Sequence, residues 1–201
     1  MLDGELDSDT AMRDWTAAQE IAAKLGNRRW QNRANGELGF QHFYEGDVAG
    51  AKTLVAGALL GAVTSGDKPA QARFMSAIGV GYALSRLYSE DLDYLDRSLK
   101  LAASDPEMGF QYITLHGKVS ALNGDGRTEE AWARANEVVA RALASHKNAN
   151  LCVALISRAR LFREQKDNQR VLESLGEAID LAGKGSFPRL LAAARFLLAE
   201  T

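Results

Sequence analysis

Proline occurs three times in 201 residues and cysteine once. So few prolines remove the commonest interruption of a helix, and the single cysteine, Cys152, excludes an internal disulfide. Cys152 sits in the apolar run Leu151-Cys152-Val153-Ala154-Leu155-Ile156, which reads as a buried, inert thiol and is consistent with a reducing cytoplasm. β-branched residues are few and scattered, against a sheet. The most apolar stretch, Leu54 to Val63, is half the length of a membrane span. The net charge is −2, so the basic surface that non-specific nucleic-acid binding needs is missing. Met1-Leu2-Asp3-Gly4-Glu5 is acidic and has no apolar run behind it, against a signal peptide.

Catalytic signatures are also missing. There is no Walker loop, no Gly-x-Gly-x-x-Gly after a strand, no His-Glu-x-x-His and no Gly-x-Ser-x-Gly elbow. The three histidines, His42, His116 and His146, lack metal-ligand spacing, and the first two stand at packing positions, so they read as structural. Glu129-Glu130 and Asp91-Asp93 fall at turns and helix starts, where acidic side chains complement the helix dipole. An enzyme is therefore not expected, and no cofactor or metal.

What is present is helical. Apolar residues are 46% and charged residues 25%, the balance of a folded soluble chain, and alanine and leucine dominate. A pattern recurs at about 40 residues. It runs Leu38-Gly39, Glu45-Gly46-Asp47, Ala51, Val55 and Ala58 in the first copy. Ile78-Gly79, Tyr82 and Leu95 form the second, and His116-Gly117, Gly124-Asp125-Gly126, Ala131 and Ala135 the third. The fourth has Arg158-Ala159, Phe162, Lys166-Asp167, Val171 and Leu175. Pro69, Pro106 and Pro188 keep the same period, each after a capping residue and each suited to open a helix; Asn148 is the equivalent cap where a proline is missing.

Each copy divides into a first helix, such as Arg28 to Tyr44, and a second, such as Val48 to Thr64. The small residue of the first lets the second cross closely, and Gly57 and Gly61 offer a further close approach. The expected organisation over 1–201 is one array: a lone helix at 10–26, repeats at 27–66, 67–104, 105–147 and 148–185, and a lone helix at 186–201. Leu190, Leu191, Phe196, Leu197 and Leu198 make the last helix too apolar for a free end. That predicts either a longer parent protein or a homodimer through this helix.

The spacing Leu38-Gly39, Gly46-Asp47, Ala51, Val55, Ala58 resembles the tetratricopeptide repeat, over roughly residues 10 to 200, with a period longer than that family's usual 34 residues. The resemblance implies an all-α, right-handed superhelical solenoid of antiparallel helix pairs. It also implies ligand binding on a concave face lined by the first helices. Carried onto this chain, that face holds Arg33, Phe40, Phe43 and Tyr44, then Arg73, Val80, Ala83 and Leu84. Gln111, Lys118, Ala121 and Leu122 follow, then Val153, Arg160, Arg163 and Glu164. The basic residues among them, with the aromatic end at Phe40, Phe43 and Tyr44, predict a groove for a protein or peptide that is acidic or carboxylate-bearing. Tyr44 and Leu84 stand where the carboxylate clamp of chaperone-binding relatives has asparagine and lysine.

Long-period variants resemble regulatory regions of bacterial signalling proteins. The expected function is a non-catalytic interaction module within such a protein, with neither nucleic acid nor membrane as partner. Two alternatives stand beside it. One is a small-ligand or peptide sensor of a transcription regulator or diguanylate cyclase, and the other is a self-associating scaffold.

Overall fold

The computed structural model describes residues 8–84, 88–105, 108 and 111–201. Among them are ten α-helices and no strand: α1 (Ser8–Lys24), α2 (Arg28–Tyr44), α3 (Val48–Thr64), α4 (Lys68–Leu84) and α5 (Tyr88–Ala103), then α6 (Tyr112–Gly124), α7 (Thr128–Ser145), α8 (Asn148–Glu164), α9 (Asn168–Lys184) and α10 (Pro188–Ala199). No helix among the described residues is long and apolar enough to cross a membrane.

The turns repeat more strictly than the sequence pattern. Left-handed backbone occurs at Gly26, Gly46, Gly66, Gly126, His146, Lys166 and Ser186, always 20 residues or a multiple of 20 apart. At Gly46 (φ 88°) glycine suits the turn, because an L side chain is strained there. The Asp47 N–H then donates to the His42 carbonyl at 2.9 Å, and Asp67 to Ala62 and Asp167 to Phe162 do the same at 2.9 and 3.0 Å. These bonds satisfy carbonyls left over at each helix end. The same residues start the next helix: Asp47 accepts from the Gly50 N–H at 2.9 Å and Asp167 from Arg170 at 3.2 Å.

Two expected starts differ. Lys147, not Asn148, is the N-cap of α8, because His146 takes the left-handed turn and α7 runs to Ser145. Phe187, not Ser186, precedes Pro188 at the start of α10, again because Ser186 holds the turn (φ 55°). Pro106 lies outside the described residues, and α6 begins at Tyr112.

The chain divides into two compact units, Met1–Gly81 with Asp93–Phe110, and Tyr82–Leu92 with Gln111–Thr201. In the first, α2 packs on α1 and α3. A Cβ added at Gly39 would stand 2.7 Å from Val55 Cγ2 and 3.2 Å from the Ala51 carbonyl, so the small residue does set the α2–α3 crossing. Gly61 meets Asn32 of α2, but Gly57 faces open space, so of these two only Gly61 serves a close approach. Val55, Ala58 and Ala62 of α3 form a core with Ala70 and Phe74 of α4, and Phe40 of α2 packs on it. Ser98 Oγ of α5 donates to the Ala72 carbonyl at 2.7 Å. Ala22 of α1 is buried, whereas Ile21 and, just past the helix end, Leu25 are 56% and 76% exposed. The main packing partner of α1 is α2.

In the second unit α8 is central and packs on α6, α7, α9 and α10. Leu155, Ile156, Ala159 and Phe162 of α8 join Val171, Leu175 and Ala178 of α9, and Ala194 and Leu197 of α10. Each large side chain so withdrawn from water stabilises the fold by on the order of 2 kcal/mol before entropy is counted. Cys152 is fully buried, and its thiol lies 3.4 Å from the Ala178 carbonyl. Burial pushes its pKa up to about 11, so it does not ionise at neutral pH. Part of the apolar surface of α10 is used within the unit: Leu197 is buried and Leu190 and Leu198 pack on the core, whereas Phe196 is left 67% exposed.

Candidate functional site

The residues expected in the groove fall into two sets, one per unit. In the first unit the arginines already have partners. Asp67 caps α4, and its carboxylate is 1% exposed. Arg33 donates to it from Nε and Nη2, both at 2.7 Å, and Arg29 does so at 3.0 and 3.1 Å. Burial alone would raise the Asp67 carboxyl; the hydrogen bonds from Arg33 and then Arg29 outweigh it and hold the group far below the usual carboxylate range. Arg73 pairs with Glu37 through Nε and Nη2, the latter donating to Oε2 at 2.6 Å, and its guanidinium lies 5.0 Å from the centre of the Phe40 ring. Phe40 in turn tilts against Phe74 at 6.2 Å. Phe43 and Tyr44 stay exposed, edge to face at 6.0 Å. Arg33, Arg73 and Phe40 are therefore tied to the packing of α2 on its neighbours, and Phe43 with Tyr44 forms an open aromatic pair. The side chains of Ala83 and Leu84 lie outside the described residues.

In the second unit Gln111 is not on a helical face but at the N-cap of α6, because that helix begins late. Lys118 is half-buried on α6, and Val153, Ala121 and Leu122 are buried in the packing. The informative pair is Arg160 and Arg163, three residues apart on α8 and so on one face. Both line a cleft of about 460 Å³ with Ala192, Ala193, Phe196, Leu197 and Glu200 of the α10 end. Arg163 Nη1 donates to Glu200 Oε2 at 2.7 Å. Arg160 forms no ion pair or hydrogen bond among the described residues. Burial lowers its pKa, the Arg163 charge beside it lowers it further, and Glu200 opposes both.

His116 of α6 stands beside this pair. Burial, then the Arg160 charge, pushes its imidazole down to about 3, so the ring stays neutral. It is hydrogen-bonded to Ser157, whose hydroxyl also donates to the Val153 carbonyl at 2.9 Å. Ser157 is 1% exposed with its proton committed, so the two residues pack together rather than form a nucleophile and base open to substrate. A smaller cleft of about 290 Å³ between α8 and α9 is lined by Arg158 and Arg170 but also by Glu173 and Glu177. It carries two cations and two anions, whereas the Arg160 cleft carries two cations and one anion; Arg158 also lacks a partner for its buried Nε but lies against the Phe162 ring.

Sequence reasoning missed the α10 wall of this cleft and the counter-ions Asp67 and Glu37. The spacing held one signal: Arg33 and Asp67, like Glu37 and Arg73, stand about one repeat apart.

No family model matches the chain, and no curated protein matches it in sequence. Its fold does recur among solved structures. BtubC (BKLC) from P. vanneervenii, known from a crystal structure, superposes with a TM-score of 0.64 over 96% of this chain and 85% of that one, at 13% identity. At that identity the likeness speaks for an all-helical, repeat-like fold and for nothing of the activity.

Proposed function

We propose that the chain is a non-catalytic peptide-binding module, a long-period tetratricopeptide-like array whose helix pairs stack into a right-handed solenoid. In this reading it serves as a regulatory segment of a bacterial cytoplasmic signalling protein, and its partner is an acidic or carboxylate-bearing peptide segment. The observation that carries the reading is Arg160, a guanidinium half-withdrawn from water, without an ion pair among the described residues, opening on a cleft. Desolvating a cation without a counter-ion costs free energy, and a bound carboxylate offsets it.

The test is fluorescence anisotropy with a labelled synthetic peptide in which leucine alternates with aspartate. Arg160→Glu should weaken binding at least tenfold with circular dichroism unchanged, because it replaces an attraction with a repulsion. Equal affinity in the two proteins overturns the assignment. A second reading, self-association, is favoured by the exposed Phe196. It predicts a dimer in light scattering that Phe196→Glu dissolves.

A further inference from the structure

We infer that Glu200 is an internal competitor for the Arg160–Arg163 cleft: it fills the Arg163 half and leaves the Arg160 half to a partner's carboxylate, whose neighbouring apolar side chain lies on Phe196. This rests on the peptide-binding reading above.

The cleft holds two cations and one anion. Arg163 Nη1 and Glu200 Oε2 are 2.7 Å apart, and both side chains are partly exposed, at 33% and 46%. Such a pair is weak and exchanges readily with other partners. Glu200 follows Phe196 by four residues at the end of α10, so the chain's own carboxylate and the exposed ring share one face. A partner segment that carries a carboxylate beside an apolar side chain repeats the same chemistry from the other side. It neutralises Arg160, covers Phe196 and contests Arg163. Glu200 therefore lowers affinity for acidic segments without blocking them, and it tunes the site toward partners with more than one carboxylate.

The experiment measures the leucine–aspartate peptide, and a counterpart with asparagine for aspartate, against wild type, Glu200→Gln and Glu20→Gln. Glu20 is an exposed residue of α1 and is not among the residues lining the cleft, so its substitution makes the same change in net charge without altering that lining. The expected result is about two- to fivefold tighter binding of the aspartate peptide by E200Q. E20Q should not change, and the asparagine peptide should show no gain. Unchanged or weaker binding by E200Q, with wild type still binding, overturns the competitor and leaves the peptide-binding reading standing; it would mean that Glu200 orients Arg163 for the ligand. Equal tightening by E20Q also overturns it, since net charge then explains the effect. Failure of every variant to bind removes the underlying reading itself.

Discussion

Arg33 grips Asp67 through two parallel hydrogen bonds, Nε to Oδ2 and Nη2 to Oδ1, both 2.7 Å. The pair joins α2 to the cap of α4, so one carboxylate both starts a helix and fastens it to an earlier one.

Asp67→Asn should therefore destabilise the protein by about 3 kcal/mol, the usual cost of removing one partner of a buried pair. In a chain of this size that is a fall of several degrees in Tm. The group also carries an acid signature. Its folded pKa lies below the unfolded value, so its stabilisation is complete above about pH 4 and is lost as the pH falls further. Thermal melts of the wild type between pH 5 and pH 3 should fall more steeply than those of D67N.

Asp91 has the opposite sign. It is fully buried near the start of α5, both carboxylate oxygens lack a hydrogen-bond partner, and burial, then the charges of Asp125 and Glu90, push its pKa up to about 7. The folded state holds a proton that the unfolded chain releases near pH 4, so stability drains away as the pH rises from about 4 to 7. A carboxyl raised that far costs the fold on the order of 4 kcal/mol above pH 7. Asp91→Ala places there the small residue that the repeat has at Ala51 and Ala131. It should raise Tm at pH 8 by several degrees and far less at pH 5. Equal gains at both pH values would show that packing, not charge, is the cause.

Gly39→Ala tests the crossing of α2 and α3. The new methyl meets Val55 Cγ2 at 2.7 Å, a side chain that is itself buried, and a backbone carbonyl at 3.2 Å that cannot yield cheaply. Overpacking of this kind costs about 1–3 kcal/mol. Gly57→Ala, on the open side of α3, should instead stabilise by up to about 1 kcal/mol, because alanine is the better helix former. Urea denaturation of the two variants gives both signs in one experiment.

The helices and turns were legible in the sequence because their determinants are local. A left-handed residue at the turn, an aspartate to cap, and alanine or glycine at the crossing recur at fixed offsets, and Arg28–Tyr44 and Val48–Thr64 follow from them alone. Starts at which no such residue is decisive, such as Tyr112 and the cap Lys147, were not legible. The site was read only in part, for a physical reason. Periodicity tells which face of a helix a side chain takes, but not what meets it there. Arg33, Arg73, Arg160 and Arg163 all fall on the same expected groove face. What separates them is contact: Asp67 and Glu37 satisfy the first two, Glu200 takes the last, and Arg160 is left over. Those counter-ions come from 34 to 37 residues away, beyond the reach of any local pattern.

That difference predicts opposite stability effects for two arginines of the same expected groove. Arg73→Leu strands Glu37, which is 11% exposed, and should cost roughly 2–3 kcal/mol for a charged group left without its partner. Arg160→Leu removes a guanidinium that burial and Arg163 already disfavour, so it should leave Tm unchanged or raise it by a few degrees while binding of the leucine–aspartate peptide is lost. A residue whose removal stabilises the fold and abolishes binding is one kept for a ligand, since sites are commonly maintained at the expense of stability. Calorimetry and anisotropy on the same two variants decide the matter. If R160L destabilises as much as R73L, Arg160 belongs to the scaffold, and the cleft is no binding site.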